Sequence, residues 1–208
     1  MMNRYSDLSE NAHDILREIS NIGTGNAVTS LASMIGRQID IELPEIQIMG
    51  YNDVPGLLGD IETVQVGILL DVSGDLKGMF MFLLDESFTK EMIKLLLGKE
   101  LYKLAELDEL DRSAICEIGN IMCCSYMNAI SMMTGMTMNV SVPDMCCDMV
   151  GAILSVPMIH FANLSDEILF IENQYGLGNM SLVSHILFLP EIESLKKIFD
   201  AFGEPYEN

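Results

Sequence analysis

The chain has few basic residues. Eleven lysines and arginines stand against 31 aspartates and glutamates, which gives a formal net charge of -20 at pH 7. Such a surface repels the phosphate backbone of nucleic acids and the headgroups of anionic membranes. The two adjacent lysines in SLKKIF are better explained as part of a solvated helix face. Nucleic acid is therefore not an expected partner.

Long apolar runs are also missing, although 50% of the residues are hydrophobic. No apolar run reaches the roughly 18 uncharged residues that a membrane span requires. The first residues, MMNRYSDLSENAHD, lack the apolar segment of a signal peptide. We therefore expect no membrane insertion and a cytoplasmic location.

The chain has few cysteines, and their number, five, is odd. An odd number without an export signal argues for reduced thiols. The neighbouring pairs Cys123–Cys124 and Cys146–Cys147 leave a soft-metal or redox function open. Because free cysteine is usually a small buried hydrophobic residue, and the three histidines share no ligand spacing, we expect no metal site.

An internal repeat is present. Moving the chain along itself by 99 positions aligns residues 14–44 with 113–143 without a gap. A second block, which ends at Gly98, aligns at an offset of 105 with a block that ends at Gly203, so the second copy contains additional residues. We predict one domain, 1–208, made of two modules that cover about 1–100 and 101–208.

Periodicity predicts the elements of the first module. A helix over about 7–35 begins at a capping box of Asp7 and Glu10, and strands follow in RQIDIELP, TVQVGILLDV and GMFMFLL. A closing helix extends from Asp85 as N-cap to Gly98. Hairpin-linked strands flanked by helices favour an α+β fold with a mostly antiparallel sheet. Since one module alone has too little core, we expect both to share one sheet about a pseudo-twofold axis.

Each long helix carries a glutamate and an asparagine three residues apart, Glu18 with Asn21 and Glu117 with Asn120. Residues at this spacing lie on one helix face. Glutamate is rarely buried without a partner and asparagine is a modest helix former, so packing alone would not select the pair twice. Two explanations stay open here: hydrogen bonds within the protein, or a function at its surface.

Glycines accompany both pairs. Gly23 and Gly25 follow the first pair, and Gly119 lies within the second. Glycine inside a helix costs about 1 kcal/mol relative to alanine, a cost that is tolerated where another backbone comes close. The composition is typical of a helix that docks into a cleft of another protein.

The pattern Asp or Ser, three residues, Glu, two residues, Asn, 22 residues, Pro resembles the signature of the CheC, CheX and FliY family of chemotaxis phosphatases. It occurs twice, and the resemblance covers nearly the whole chain. The matching residues are Asp14, Glu18, Asn21 and Pro44 in the first copy, and Ser113, Glu117, Asn120 and Pro143 in the second.

The resemblance implies a CheC-like fold and hydrolysis of the aspartyl phosphate on the response regulator CheY. It implies that Asn21 and Asn120 orient the attacking water, while Glu18 and Glu117 pair with a receiver lysine. The receiver supplies Mg²⁺ and lysine around the phosphoaspartate, so the chain needs no cofactor of its own. An amide can donate to and accept from a water molecule, and positioning alone lowers a reaction barrier substantially.

The resemblance also implies a second partner, the receptor deamidase CheD. Because the segment PDMCCDMVGAIL has no good counterpart in the first module, we predict that it forms a short helix exposing Asp148 to CheD. A core-packed helix is the alternative. One departure within the repeat, Gly25 against Cys124, predicts unequal activity of the two sites.

Two other classes of function remain open. The implied fold is shared with flagellar switch proteins that bind receivers or other partners without hydrolysis, so a non-catalytic receiver- or CheD-binding module is the first. An enzyme that uses the cysteine pairs for thiol or metal chemistry is the second.

Overall fold

The structure is a computed structural model. It describes residues 9–42, 44–161 and 167–204. Within these ranges the first half forms α1 (Glu10–Ile35), β1 (Asp40–Ile41), β2 (Glu45–Gly50), α2 (Val54–Leu58), β3 (Val64–Gly74), β4 (Gly78–Leu84) and α3 (Glu86–Leu97). The second half forms α4 (Glu109–Thr134), β5 (Met138–Val140), β6 (Asp144–Met149), α5 (Val150–Phe161), β7 (Glu167–Leu177), β8 (Met180–Pro190) and α6 (Ile192–Ala201). The order of elements is the same in both halves.

The strands form one sheet with antiparallel pairing, in the order β1-β7-β8-β4-β3-β5. The edge strands are exchanged between the halves: β1 and β2 pair with β7, whereas β5 and β6 pair with β3. The predicted α+β class with an antiparallel sheet is confirmed. The assignment of residues 1–208 to one domain stays a prediction.

Helices cover both faces of the sheet. On one face α1, α3, α4 and α6 pack over a large hydrophobic cluster that includes Phe80 and Phe82 of β4. On the other face α2 and α5 pack over a smaller cluster that includes Met79 and Met81 of the same strand. This alternation follows from the two-residue period of a strand. In the described part of the chain, every helix is too short or too polar to cross a membrane.

The start of α1 differs from the prediction. Ser9 is the N-cap, because its hydroxyl accepts a hydrogen bond from the backbone N–H of Ala12 at 3.1 Å. The helix therefore begins at Glu10 rather than at about residue 7. The predicted capping residue, Asp7, lies outside the described residues.

The segment around Asp148 also differs from the prediction. Residues 144–149 form the strand β6, paired with β3, and the helix α5 begins only at Val150. Met145 and Cys147 are half-buried against the large cluster, whereas Asp148 is exposed. The alternation of inward and outward residues is that of a strand. Asp148 is thus not on a helix, and β6 has a counterpart in β2 of the first half.

Candidate functional site

The first signature pair lies on the outer side of α1. This helix buries Leu16, Ile19 and Gly23 on its inner side. Glu18 is exposed, and Asn21 is half-buried at the border of that exposed surface. Since residues three apart share a helix face, the carboxylate and the carboxamide are neighbours that a docking protein can reach.

The second pair has the same placement on α4. Ile115 and Ile118 are fully buried, whereas Glu117 is exposed and Asn120 is half-buried. The two helices have equal length, 26 residues, and they pack against each other. The structure thus contains two surface sites with the same pair of functional groups.

Neither glutamate of these pairs has an ion-pair partner among the residues that the structure describes. Within the described part of the chain, Glu18 and Glu117 make no hydrogen bond or ion pair with another side chain. A free carboxylate at the surface can attract a cation of a partner protein, most strongly at low ionic strength. The explanation that these acids only stabilise their own helix is not supported by the geometry.

The other signature residues have separate locations. Asp14 forms an exposed ion pair with Arg17, with 2.7 Å between carboxylate oxygen and guanidinium nitrogen. Ser113 is exposed on α4. Pro44 and Pro143 immediately precede the edge strands β2 and β6. The prolines therefore fix where the chain enters these strands, outside the helices that carry the Glu and Asn residues.

The two asparagines differ in their neighbours. The thiol of Cys124 donates a hydrogen bond to Asn120 Oδ1 with an S···O distance of 3.7 Å. The equivalent residue in α1 is Gly25, and a Cβ built there would meet nothing within 4 Å. Burial raises the pKa of the Cys124 thiol, and the carboxylate of Glu117 raises it further. The thiol is therefore protonated at neutral pH and able to donate.

Contrary to the expectation from sequence, not all of the helix glycines face a docking surface. A Cβ on Gly23 would lie 2.6 Å from Cδ1 of Tyr126, and a Cβ on Gly119 would lie 2.8 Å from Cγ2 of Ile68. Both glycines make room for buried side chains of this protein. Of the three, Gly25 alone is exposed, so the interpretation as a docking surface holds there only.

A buried polar network was missed by the sequence analysis. The hydroxyl of Thr24 contacts the phenol oxygen of Tyr126 and donates to Asn173 Oδ1 at 3.1 Å. Burial raises the pKa of Tyr126 to about 12. The network joins α1, α4 and β7 behind the two signature sites. Its signal in the sequence is weak, since only the polar Thr24 on the inner face of α1 indicates a buried partner.

The cysteines form no disulfide, and all five are free. Cys123 is buried, which raises the pKa of its thiol, whereas Cys146 is exposed on β6. Within the described residues, no three His, Cys, Asp or Glu side chains come together in a group that could hold a metal ion. These positions therefore give no support to thiol or metal chemistry.

Similarity to known proteins coincides with the two signature helices. The model of the CheC-like family matches residues 12–48 and 110–145. The CheY-P phosphatase CheC of Bacillus subtilis (strain 168) is 28% identical over 206 residues, which are 97% of this chain and 99% of that protein. The chain is similar to this family along both signature helices.

Solved structures share the fold of this chain. The crystal structure of FliY from Thermotoga maritima has a TM-score of 0.75 at 23% identity, and the match covers 95% of this chain and 98% of FliY. The FliM middle domain from H. pylori has a TM-score of 0.65 at 12% identity, with coverage of 93% and 99%. At these identities the similarity concerns the fold, and the predicted CheC-like architecture is confirmed.

Proposed function

We propose that the chain is a protein phosphatase that hydrolyses the aspartyl phosphate of a phosphorylated CheY receiver in the cytoplasm. The observation that carries the proposal is the duplicated surface pair, an exposed glutamate and a half-buried asparagine on each of two equivalent helices. Similarity to a CheY-P phosphatase over 97% of the chain supports the same activity.

The asparagines act on the attacking water in this proposal. A receiver holds Mg²⁺ and a lysine around its phosphoaspartate, so the group that is still needed is one that orients the nucleophile. A carboxamide of Asn21 or Asn120 can accept a hydrogen bond from water and donate another. Water then attacks phosphorus in line, the bond from phosphorus to the aspartyl oxygen breaks, and the products are the carboxylate and dihydrogen phosphate.

The glutamates hold the receiver in place. Glu18 and Glu117 are exposed and have no ion pair in the described part of the chain. We propose that each pairs with a receiver lysine and so holds the receiver against the helix that carries the asparagine. The Mg²⁺ belongs to the receiver, and the phosphatase contributes no cofactor.

The decisive experiment replaces both asparagines by alanine and follows the decay of phosphorylated receiver. We expect Asn21→Ala/Asn120→Ala to lose the acceleration by roughly a hundredfold or more, the size of effect that misplacement of a reacting group produces. The matched control is Asn26→Ala/Asn128→Ala, since these asparagines are exposed on the same two helices. Thermal unfolding curves establish that both double variants are folded.

Two results would decide against catalysis by these residues. Unchanged acceleration in the Asn21→Ala/Asn120→Ala variant would remove the mechanism. A wild-type chain that binds the phosphorylated receiver, yet leaves the phosphate to decay at its spontaneous rate, would identify a non-catalytic binding module instead.

We also propose CheD as a second partner, with Asp148 in the contact. Asp148 is exposed as the penultimate residue of β6, two residues before α5 begins at Val150. Asp148→Lys should weaken binding to CheD in a titration by isothermal calorimetry. Asp144→Lys is the control, because Asp144 is exposed on the same strand. Equal binding by the two variants and the wild type would remove Asp148 from the interface.

A further inference from the structure

The second site contains a restraint that the first site lacks. The Cys124 thiol, one turn beyond Asn120 on α4, donates to Asn120 Oδ1 across 3.7 Å. In α1 a Cβ built on Gly25 meets nothing within 4 Å, and the side-chain amide of Asn21 has no hydrogen-bond partner within the described residues. The duplicated helices therefore present one restrained carboxamide and one unrestrained carboxamide.

We propose that Cys124 is a positioning residue for Asn120, which it holds with Oδ1 toward the thiol and Nδ2 on the opposite side. The proposal rests on the proposed function, because the orientation of the carboxamide matters for catalysis only if it places water. It makes the two sites unequal: the carboxamide of the second site is pre-ordered, and that of the first becomes ordered only in the transition state, after the receiver has docked.

The physical reason is side-chain entropy. An asparagine at a helix surface rotates about two bonds, and fixing those rotations costs free energy. At Asn120 part of this rotational freedom is already lost when the protein folds, because the thiol selects one orientation of the amide. At Asn21 the whole cost is added to the activation free energy of the chemical step. A pre-ordered group supports a faster chemical step without additional binding contacts.

The effect of the thiol is distinguishable from the effect of its bulk. Serine has nearly the shape of cysteine, but a serine hydroxyl within a helix usually donates to the carbonyl four residues earlier. Ser125 does so with the Ile121 carbonyl oxygen at 2.8 Å. Cys124→Ser therefore keeps the bulk and withdraws the donor from Asn120, whereas Cys124→Ala removes both.

Kinetics in single-site backgrounds test the proposal. In the Asn21→Ala variant, only the second site is active. There we expect Cys124→Ala and Cys124→Ser each to lower kcat by about two- to fivefold, the size of a weak hydrogen bond, with KM unchanged. In the Asn120→Ala variant, only the first site is active, and the same two substitutions should change neither kcat nor KM there. A reduction of kcat in both backgrounds, or in neither, would overturn the proposal.

Transfer of the thiol to the first site is the converse test. In the Asn120→Ala background, Gly25→Cys should raise kcat above that of Gly25→Ala by a similar factor, since both variants add a Cβ at this open position and only the cysteine adds the donor. Equal kcat values for the two variants would count against the positioning role.

A measurement without turnover separates this proposal from the proposed function. Side-chain ¹⁵N relaxation should give Asn120 a higher order parameter than Asn21, and Cys124→Ala should lower the Asn120 value alone. Equal order in the unaltered protein would overturn the positioning role whatever the activity. Failure of the proposed function would instead show as unchanged phosphate decay in the Asn21→Ala/Asn120→Ala variant.

Discussion

The ring of Tyr126 on α4 occupies the space that a side chain at Gly23 of α1 would need, with 2.6 Å between a built Cβ and Cδ1 of the ring. Tyr126 is only 2% exposed, so the ring has little room to move. The two helices that carry the signature residues are therefore fitted to each other at a glycine, and their relative position depends on it.

Substitution of this glycine tests the fit. Gly23→Ala and Gly25→Ala gain the same helix propensity, but only the first introduces a clash, because a Cβ at Gly25 meets nothing within 4 Å. We expect Gly23→Ala to be less stable than Gly25→Ala by about 1–3 kcal/mol, the usual cost of overpacking. Urea unfolding measures the difference, and equal midpoints would show that the ring can shift freely.

The buried network behind the sites predicts a second loss of stability. Thr24→Val keeps the shape of the side chain but removes the hydroxyl that donates to Asn173. A buried acceptor without its donor costs about 1–3 kcal/mol. Thr29→Val is the control, because its exposed hydroxyl donates only to the Gly25 carbonyl of its own helix. Both free energies of unfolding come from urea titrations, and similar values would mean that solvent satisfies Asn173.

His185 predicts a loss of stability in acid. Burial lowers the pKa of its imidazole below the ordinary 6.5, although Glu172 opposes this, with 3.4 Å between Nε2 and a carboxylate oxygen. The unfolded chain therefore binds the proton first as pH falls. The contribution of the neutral His185 to stability is complete above about pH 6.5, and it decreases as pH falls through the pKa of His185 in the folded protein.

Replacement of this histidine provides the measurement. Between pH 7 and 5, the free energy of unfolding should decrease less in His185→Gln than in the unaltered protein. His13→Gln, at a half-buried position on α1, serves as the comparison. Parallel curves for His185→Gln and the unaltered protein would contradict the assignment of this dependence to His185.

The signature glutamates predict a change in binding rather than in chemistry. Glu18→Gln/Glu117→Gln removes two exposed carboxylates and leaves the asparagines in place. We expect KM for the phosphorylated receiver to rise several-fold with kcat little changed, and its dependence on salt to weaken. Glu10→Gln/Glu109→Gln, which changes an exposed glutamate on each of the same helices, should leave both constants unaltered. A reduced kcat at unchanged KM would assign the glutamates to the chemical step instead.

Local patterns predicted the elements whose ends are determined by their own residues. The strand at Gly78–Leu84 has the predicted bounds, and α3 has Asp85 as N-cap and Gly98 at its C-cap, as expected. The positions of both Glu and Asn pairs were also predictable, because helical spacing places them on one face. Their exposure then follows from the apolar residues on the opposite face.

Elements that depend on distant partners were not predicted. The sequence pattern does not predict the strand at Glu45–Gly50, and it predicts a helix where the strand at Asp144–Met149 lies. Each of these strands is short and is defined by pairing with a strand of the other half. The same holds for the contacts of Thr24, whose partners are 102 and 149 residues away in the chain. Sequence periodicity carries no information about which distant side chains meet.

The exchange of edge strands has a consequence for the order of assembly. The central strand β4 pairs with β3 on one side and with β8 on the other. The outer side of β3 pairs with β5 and β6, which belong to the second half of the chain. While the ribosome has released only the first hundred residues, the β3–β4 hairpin has unfilled backbone donors and acceptors on both flanks. The sheet therefore cannot be completed before β7 and β8 have been synthesised.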